Sequence, residues 1–411
     1  MTASPGATRP GAAAAVVILA LAVDMFLYGS LVPLVPLLPA VGGSPGAAGA
    51  LFAAYAIALL VVTPLIGRWV DRVGPRTPML SGLLGLAAAT VLFAATVELG
   101  GFTGLVLLMA ARAAQGAAAA ATWTAGLVLI AVTHRPERRG PVLGFALSAC
   151  GIGVLLGPLV TGVLTDMFGP RAPFLLIAAL IAVDAVARIV FIKPVPVRPN
   201  PTPLRALAGG PQVGLLIGLT ALGAAAAAFP EPVLPLHLAG LGLGPSAIGL
   251  VFGAAALAGA IAAPLAGLAT TRFGPGRVAA AGTLVAAIGL GLSGVGLAGW
   301  SVAGVVLIGV ASQLVLAPTL VLIGVLAEHI RPPAYGTAYA LYNLAYTGGL
   351  MLAPLVAGTV AGLAGVPVAT MLAAAGAAIT TVVLLRRVHG VRPVGEHGSH
   401  PAEEHPPGAH P

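Results

Sequence analysis

Apolar residues run in long blocks along almost the whole chain, separated by short stretches where Arg, Gly and Pro collect. A helix rises about 1.5 Å per residue, so about 20 apolar residues are needed to cross a hydrocarbon core about 30 Å thick. Twelve blocks come up to that length, at residues 13–40, 48–68, 77–97, 102–132, 141–165, 172–193, 213–238, 246–270, 278–298, 301–327, 335–363 and 366–386. Each is predicted as a spanning helix. The first follows Arg9 and could be taken for a secretory signal. It is too long for a signal's apolar region and lacks a convincing cleavage site, so it is kept as a span.

Composition agrees with this pattern. Hydrophobic residues make up 59% of the chain, charged residues 7%, and the mean hydropathy is +1.06. Soluble domains carry roughly a quarter charged residues, so an integral membrane protein is expected. The net charge of +8 would suggest nucleic acid in a soluble chain. Its distribution removes that reading. With the N-terminus inside, inner segments collect Arg9, Arg68, Arg72, Arg76, Arg135, Arg138, Arg139, Lys193, Arg198, Arg205, Arg272, Arg277, Arg331, Arg386, Arg387 and Arg392, whereas outer loops hold Arg171 alone. Such a bias follows the positive-inside rule and predicts a multi-pass protein of the cell membrane with both termini cytoplasmic. The single cysteine, Cys150, lies in an apolar block, so no disulfide framework can form within the chain.

The chain also repeats itself. "PLIGRWVDRVGPR" from Pro64 is echoed by "PLAGLATTRFGPG" from Pro264, and "GPLVTG" from Gly157 by "APLVAG" from Ala353. Two parallel six-helix halves are predicted, residues 13–193 and 213–386, after a cytoplasmic N-terminus at 1–12. Between them, residues 194–212 are rich in Pro and Arg and read as a cytoplasmic linker. Parallel repeats about an axis along the membrane normal imply a central cavity and alternating access. The expected fold class is therefore an all-α integral membrane protein, with twelve transmembrane helices in two six-helix parallel repeats around that cavity. Residues 387–411 hold several histidines amid Gly, Pro and Glu, a composition that cannot build a core and is expected to be disordered. The irregular His spacing makes metal capture there the weaker reading.

Ionisable residues inside apolar blocks carry the chemistry. A charge near the bilayer centre costs about 2.5 to 3.5 kcal/mol on insertion scales, so Asp24 in "VDMFLYGSLVPLVPLLP" calls for a function. Arg112 lies at a similar depth in the fourth block. The two could form an ion pair that merely fastens helices. Alternatively, the guanidinium favours the carboxylate while desolvation favours the neutral acid, leaving Asp24 poised to exchange a proton for a cation. Glu231 stands between Pro230 and Pro232, with Pro235 and His237 beyond, which should interrupt helix 7. Freed carbonyls at membrane depth are tolerable only where protein or a watery cavity receives them, although a Glu reaching water at the interface is the simpler reading. Asp184 and Arg188, four residues apart, read as a structural pair. Tyr28, Trp123, Tyr342 and Tyr346 offer aromatic faces to a cation.

Several of these stretches resemble a known family, the twelve-helix drug:proton antiporters of the major facilitator superfamily. "GRWVDRVGPR", with Gly67, Asp71, Arg72, Gly74 and Arg76, resembles its loop between helices 2 and 3. "RAAQG", with Arg112, Gln115 and Gly116, resembles its helix 4 motif, and "GVLLGPLVTG", with Gly153, Gly157, Pro158 and Gly162, its helix 5 motif. "FPEPVLPLHL" and the opening helix are most similar to bacterial relatives of the vesicular amine transporters. The resemblance implies the major facilitator fold and a cytoplasmic latch around Asp71, in which Gly67 permits close helix approach and Asp71 pairs with Arg72 or Arg76 or faces a helix N-terminus. The latch should be lopsided, because Thr271 stands where the second copy would place its acid. The helix 5 motif is implied to pack against helix 8, whose "GAAALAGA" is equally small. Vesicular amine transporters carry further acids at places matching Gln313 and Asn343, amides that hydrogen-bond but do not titrate.

The implied activity is proton-coupled export of small organic cations or drugs, with Asp24, Arg112 and Glu231 as the residues of proton coupling. Substrate would contact Asp24, Tyr28, Trp123, Glu231, Gln313, Tyr342, Asn343 and Tyr346. The partners would be a small-molecule substrate, protons and membrane lipid, with the chain a monomer that needs no cofactor and binds no nucleic acid. The alternative is efflux of a neutral or anionic solute such as a sugar or phenicol, with Asp24 serving protons alone. An enzyme is not expected, since no set of nucleophile, base and orienting group stands out.

Overall fold

The computed structural model describes residues 10–134, 136–192, 211–329 and 335–390. The linker up to residue 210 and the His-rich tail beyond residue 390 lie outside them. Thirteen helices account for the described chain, with no strand among these residues. They are α1 (Pro10–Leu31), α2 (Pro45–Val73), α3 (Arg76–Thr96), α4 (Gly101–Thr133), α5 (Pro136–Phe168), α6 (Ala172–Phe191), α7 (Pro211–Ala228), α8 (Leu234–Gly240), α9 (Pro245–Phe273), α10 (Pro275–Ser293), α11 (Ala298–His329), α12 (Tyr335–Ala364) and α13 (Val366–Gly390). Eleven are long and apolar enough to cross a membrane. With α7 and α8 counted as one interrupted span, the passes number twelve, and the protein is a multi-span membrane protein.

Two of the predicted spans are broken by proline. The first was expected to run to residue 40, but α1 stops at Leu31, and a single 3-10 turn at Val35–Leu37 follows. Pro33, Pro36 and Pro39 lack the amide hydrogen a helix needs and clash with the preceding turn. The seventh breaks between Ala228 and Leu234, at Pro230 and Pro232, as the proline spacing predicts. The chain turns there through bonds from Glu231 N to Ala228 O at 3.3 Å and from Leu234 N to Pro230 O at 2.9 Å. Ser44 starts α2 by accepting from the Ala47 amide, and Gly74 ends it at a φ of 80°, which a side chain would resist.

Helices α1 to α6 pack among themselves, as do α7 to α13, and the halves meet where α2 lies on α12 and α5 on α9. Small residues make both contacts. A Cβ added at Gly162 would lie 2.8 Å from the Pro245 carbonyl oxygen, and one at Gly249 would run into the backbone of Pro158. Gly49 and Gly358 meet Pro354 and Pro45 in the same manner. Four Pro-x-x-x-Gly segments therefore face each other in pairs, beginning at Pro45, Pro158, Pro245 and Pro354. All lie at the end of the bundle that carries the loop between α1 and α2.

This packing refines the reading of the helix 5 motif. Gly153 and Gly157 do not face helix 8, here α9. Cβ atoms there would meet α1, with that at Gly157 lying 2.7 Å from both Phe26 O and Ser30 N. The contact with α9 begins at the next residue and involves Pro158, Leu159 and Gly162. The "GAAALAGA" stretch is divided likewise, with Gly253 against Leu159 and Gly259 against α11.

Candidate functional site

Asp24 lies seven residues before the end of α1 and is 1% exposed. Its Oδ2 accepts two hydrogen bonds, from the Trp123 indole Nε1 on α4 at 2.7 Å and from the Tyr55 hydroxyl on α2 at 3.1 Å. Its Oδ1 has no partner. Charge-assisted bonds of this kind are about twice as strong as neutral ones, which explains how the bundle tolerates a carboxyl here.

A direct ion pair of Asp24 with Arg112, one of the two readings of the sequence, is absent among the described ion pairs, which join Arg171 to Glu98 and Arg188 to Asp184. Tyr55 stands between the two groups instead. Its hydroxyl reaches Asp24, and the guanidinium carbon of Arg112 lies 4.6 Å from its ring centroid. A cation over a desolvated aromatic face is worth about 2 kcal/mol. Arg112 Nη1 donates to Gln115 Oε1 at 2.9 Å, and Gln115 Nε2 donates to Thr90 Oγ1 on α3 at 3.2 Å. Arg112 Nη2 is buried without a partner. Gly116 brings α4 against the Tyr55 backbone, so the helix 4 motif sets both the guanidinium and the distance to α2.

Glu231, in the break between α7 and α8, is 7% exposed and does not reach freely to water. Its Oε2 accepts from the Tyr28 hydroxyl at 2.7 Å, across the junction of the two halves. Tyr28 also packs on Tyr55, with ring centroids 5.8 Å apart. Asp24, Tyr28, Arg112, Trp123 and Glu231 thus form one cluster, joined through Tyr55. Tyr342 and Tyr346 stack on each other with centroids 6.1 Å apart. Gln313 is half-buried toward Gly259 on α9, and Asn343 is exposed; neither shares a described hydrogen bond with the cluster.

Sequence reading missed Tyr55, Thr90 and the bridging role of Gln115. The available signal for Tyr55 was modest: a polar aromatic in an apolar run. Asp184 and Arg188 do pair, at 3.1 Å and fully buried, and Arg188 also reaches the Val16 carbonyl, tying α6 to α1. In the last turn of α2, Asp71 and Arg72 are exposed, and Asp71 has no ion pair among the described residues. A Cβ at Gly67 would meet nothing within 4 Å, so the close approach expected there is not made in this conformation.

Residues 14–230 and 215–409 each match the sequence pattern of the Major Facilitator Superfamily. The chain belongs to this superfamily. It is 27% identical over 324 residues to the human synaptic vesicular amine transporter, covering 76% of this chain and 61% of that protein. It is 29% identical over 328 residues to the human chromaffin granule amine transporter, covering 76% and 59%. Over 185 residues, 44% of this chain and 36% of the other, it is 33% identical to a probable vesicular acetylcholine transporter of Danio rerio. The chain thus spans about three fifths of the length of the amine transporters it matches. A crystal structure of a mutant of the nucleoside transporter NupG aligns at a TM-score of 0.70 and 12% identity, covering 91% of this chain and 99% of that one, which shows the shared fold.

Proposed function

We propose that the protein is a proton-coupled antiporter that exports small, partly apolar organic cations across the cell membrane, with both termini cytoplasmic and the monomer as the working unit. One observation carries this reading: a buried carboxylate, Asp24, keeps one unpartnered oxygen while its other oxygen is held by the Tyr55 hydroxyl and the Trp123 indole, with the Tyr28 ring packed on Tyr55. Either a proton or an organic cation can neutralise that group, and the aromatic rings suit the apolar part of the cation. Two ligands that compete for one carboxylate give exchange, because the arrival of one releases the other. Relatedness to vesicular amine transporters supports the reading. Among the described residues no cluster of His, Cys, Asp and Glu could hold a metal, and the proposal needs none.

A second reading has one observation in its favour. Arg112 Nη2 is a buried donor without a partner, and a neutral or anionic solute such as a sugar or phenicol could supply the acceptor while Asp24 served protons alone. Proton release on adding candidate compounds to detergent-solubilised protein separates the two. Cations should release protons in proportion to occupancy, and neutral solutes should not. Binding of cations with no proton release would overturn the exchange reading.

A further inference from the structure

Among the described side-chain hydrogen bonds, two partnerships cross between the halves. Asp166 at the end of α5 accepts from the backbone amide of Ser246, at 3.2 Å, and from its hydroxyl, at the start of α9. The other is the 2.7 Å bond from Tyr28 to Glu231. Both lie toward the end closed by the Pro-x-x-x-Gly contacts, but at different depths. Asp166 and Ser246 are at the exposed rim, whereas Tyr28 stands one helical turn from Asp24, between Asp24 and that rim. Its ring is wedged against Phe52 and Tyr55, with centroids 6.4 and 5.8 Å away.

Alternating access requires the contacts between halves at one end to break while those at the other form. The backbone contacts between glycines and prolines close the rim, but they carry no group that responds to what occupies the site. The Tyr28–Glu231 bond does. Its acceptor is a member of the candidate site, and its donor comes from the opposite half.

We propose that Tyr28 is the inner latch of this end: its hydroxyl on Glu231 holds the halves together directly above Asp24, and release of that bond opens the path from Asp24 to the α1–α2 loop side. Tyr28 is thus a positioning residue, and Glu231 senses site occupancy by exchanging the hydroxyl for a ligand's donor. The helix break at Pro230 and Pro232 serves this arrangement, since it removes Glu231 from a regular helix and turns its side chain toward α1. The latch deepens the transport reading, although its test measures distance and needs no transport, so the two can fail separately.

The experiment places spin labels at Met167→Cys and Leu363→Cys, exposed positions on opposite halves at this end, in a Cys150→Ala background, and measures the distance distribution in lipid nanodiscs by electron–electron resonance. Tyr28→Phe keeps the ring and removes the hydroxyl. A lost hydrogen bond to a charged group should raise the open-to-closed ratio about tenfold or more. Glu231→Gln keeps an acceptor without its charge and should give a smaller shift in the same direction. Asp24→Asn should leave the distances as in the parent, because the partners of Asp24, Tyr55 and Trp123, belong to its own half. Parent-like distributions in both folded Tyr28→Phe and Glu231→Gln would overturn the proposal. So would equal opening by Asp24→Asn, which would mean that any disturbance of the cluster loosens this end.

Discussion

Asp24 presents two unequal oxygens, one held by Trp123 and Tyr55 and one free, and the predictions at this scale follow from that difference. Asparagine can keep an acceptor toward the two donors but can neither bind a proton nor balance a cation. Asp24→Asn should therefore fold normally and abolish pH-driven accumulation of a cationic dye in inside-out vesicles; uptake at the parent rate would exclude Asp24 as the exchange group. Tyr55→Phe keeps the ring under Arg112 and removes the bond to Asp24. Net stability should fall by about 1.5 to 3 kcal/mol, the usual worth of a hydrogen bond to a charged group. In denaturant unfolding, the double variant with Asp24→Asn should lose less than the sum of the two single losses, since both act on one contact.

At the scale of helices, the same backbone contact recurs in both halves while the chemistry does not. Gly116 packs on the Tyr55 carbonyl, and Gly309 packs on the carbonyl of Ala255, which lies 200 residues after Tyr55, the offset that separates Pro64 from Pro264. One repeat places a phenol at that contact and the other a methyl group. The stretch from the end of α2 into the loop before α3 gives a prediction of a different kind. A Cβ at Gly67 meets nothing in this conformation, so Gly67→Ala should leave thermal stability unchanged or raise it by roughly 0.5 to 1 kcal/mol through helix propensity. If α2 closes on a neighbour in the other access state, the same variant should slow exchange in proteoliposomes. Asp71→Asn should likewise slow turnover far more than it weakens binding at the distant cluster. Parent rates for both would reduce this loop to a basic turn.

For the molecule as a whole, the count of buried acids among the described residues bounds the work it can do. Asp24 and Glu231 belong to the cluster, while Asp184 is committed to Arg188 and α1. Gln313 and Asn343 cannot titrate. We expect a coupling ratio of no more than two protons per substrate, and near one if Glu231 stays with Tyr28 throughout. Each coupled proton adds about 1.4 kcal/mol of driving force per pH unit. Opposing pH and substrate gradients in proteoliposomes would locate the reversal point, and a ratio of three would send attention first to Asp184.

Apolar block length, proline positions and the 200-residue echo were local properties of the chain, and they were enough to predict twelve spans, two parallel halves and a broken seventh helix. Asp24, Arg112 and Glu231 were also legible, because an ionisable group in an apolar run is costly wherever its partners lie. The partners were not legible. Sequence left a direct Asp24–Arg112 pair as one of two readings, yet whether they touch or are separated by Tyr55 depends on how α1, α2 and α4 rotate against one another, which glycines such as Gly116 and Gly153 set through contacts far apart in the chain. Likewise, "GPLVTG" announced close packing but not its address, and the fold gives Gly157 to α1 and Gly162 to α9. The Tyr28–Glu231 bond joins residues 203 positions apart. Hydrophobic periodicity reports whether a residue leaves water, a property of its own segment, whereas the choice of neighbour is made only when the helices meet.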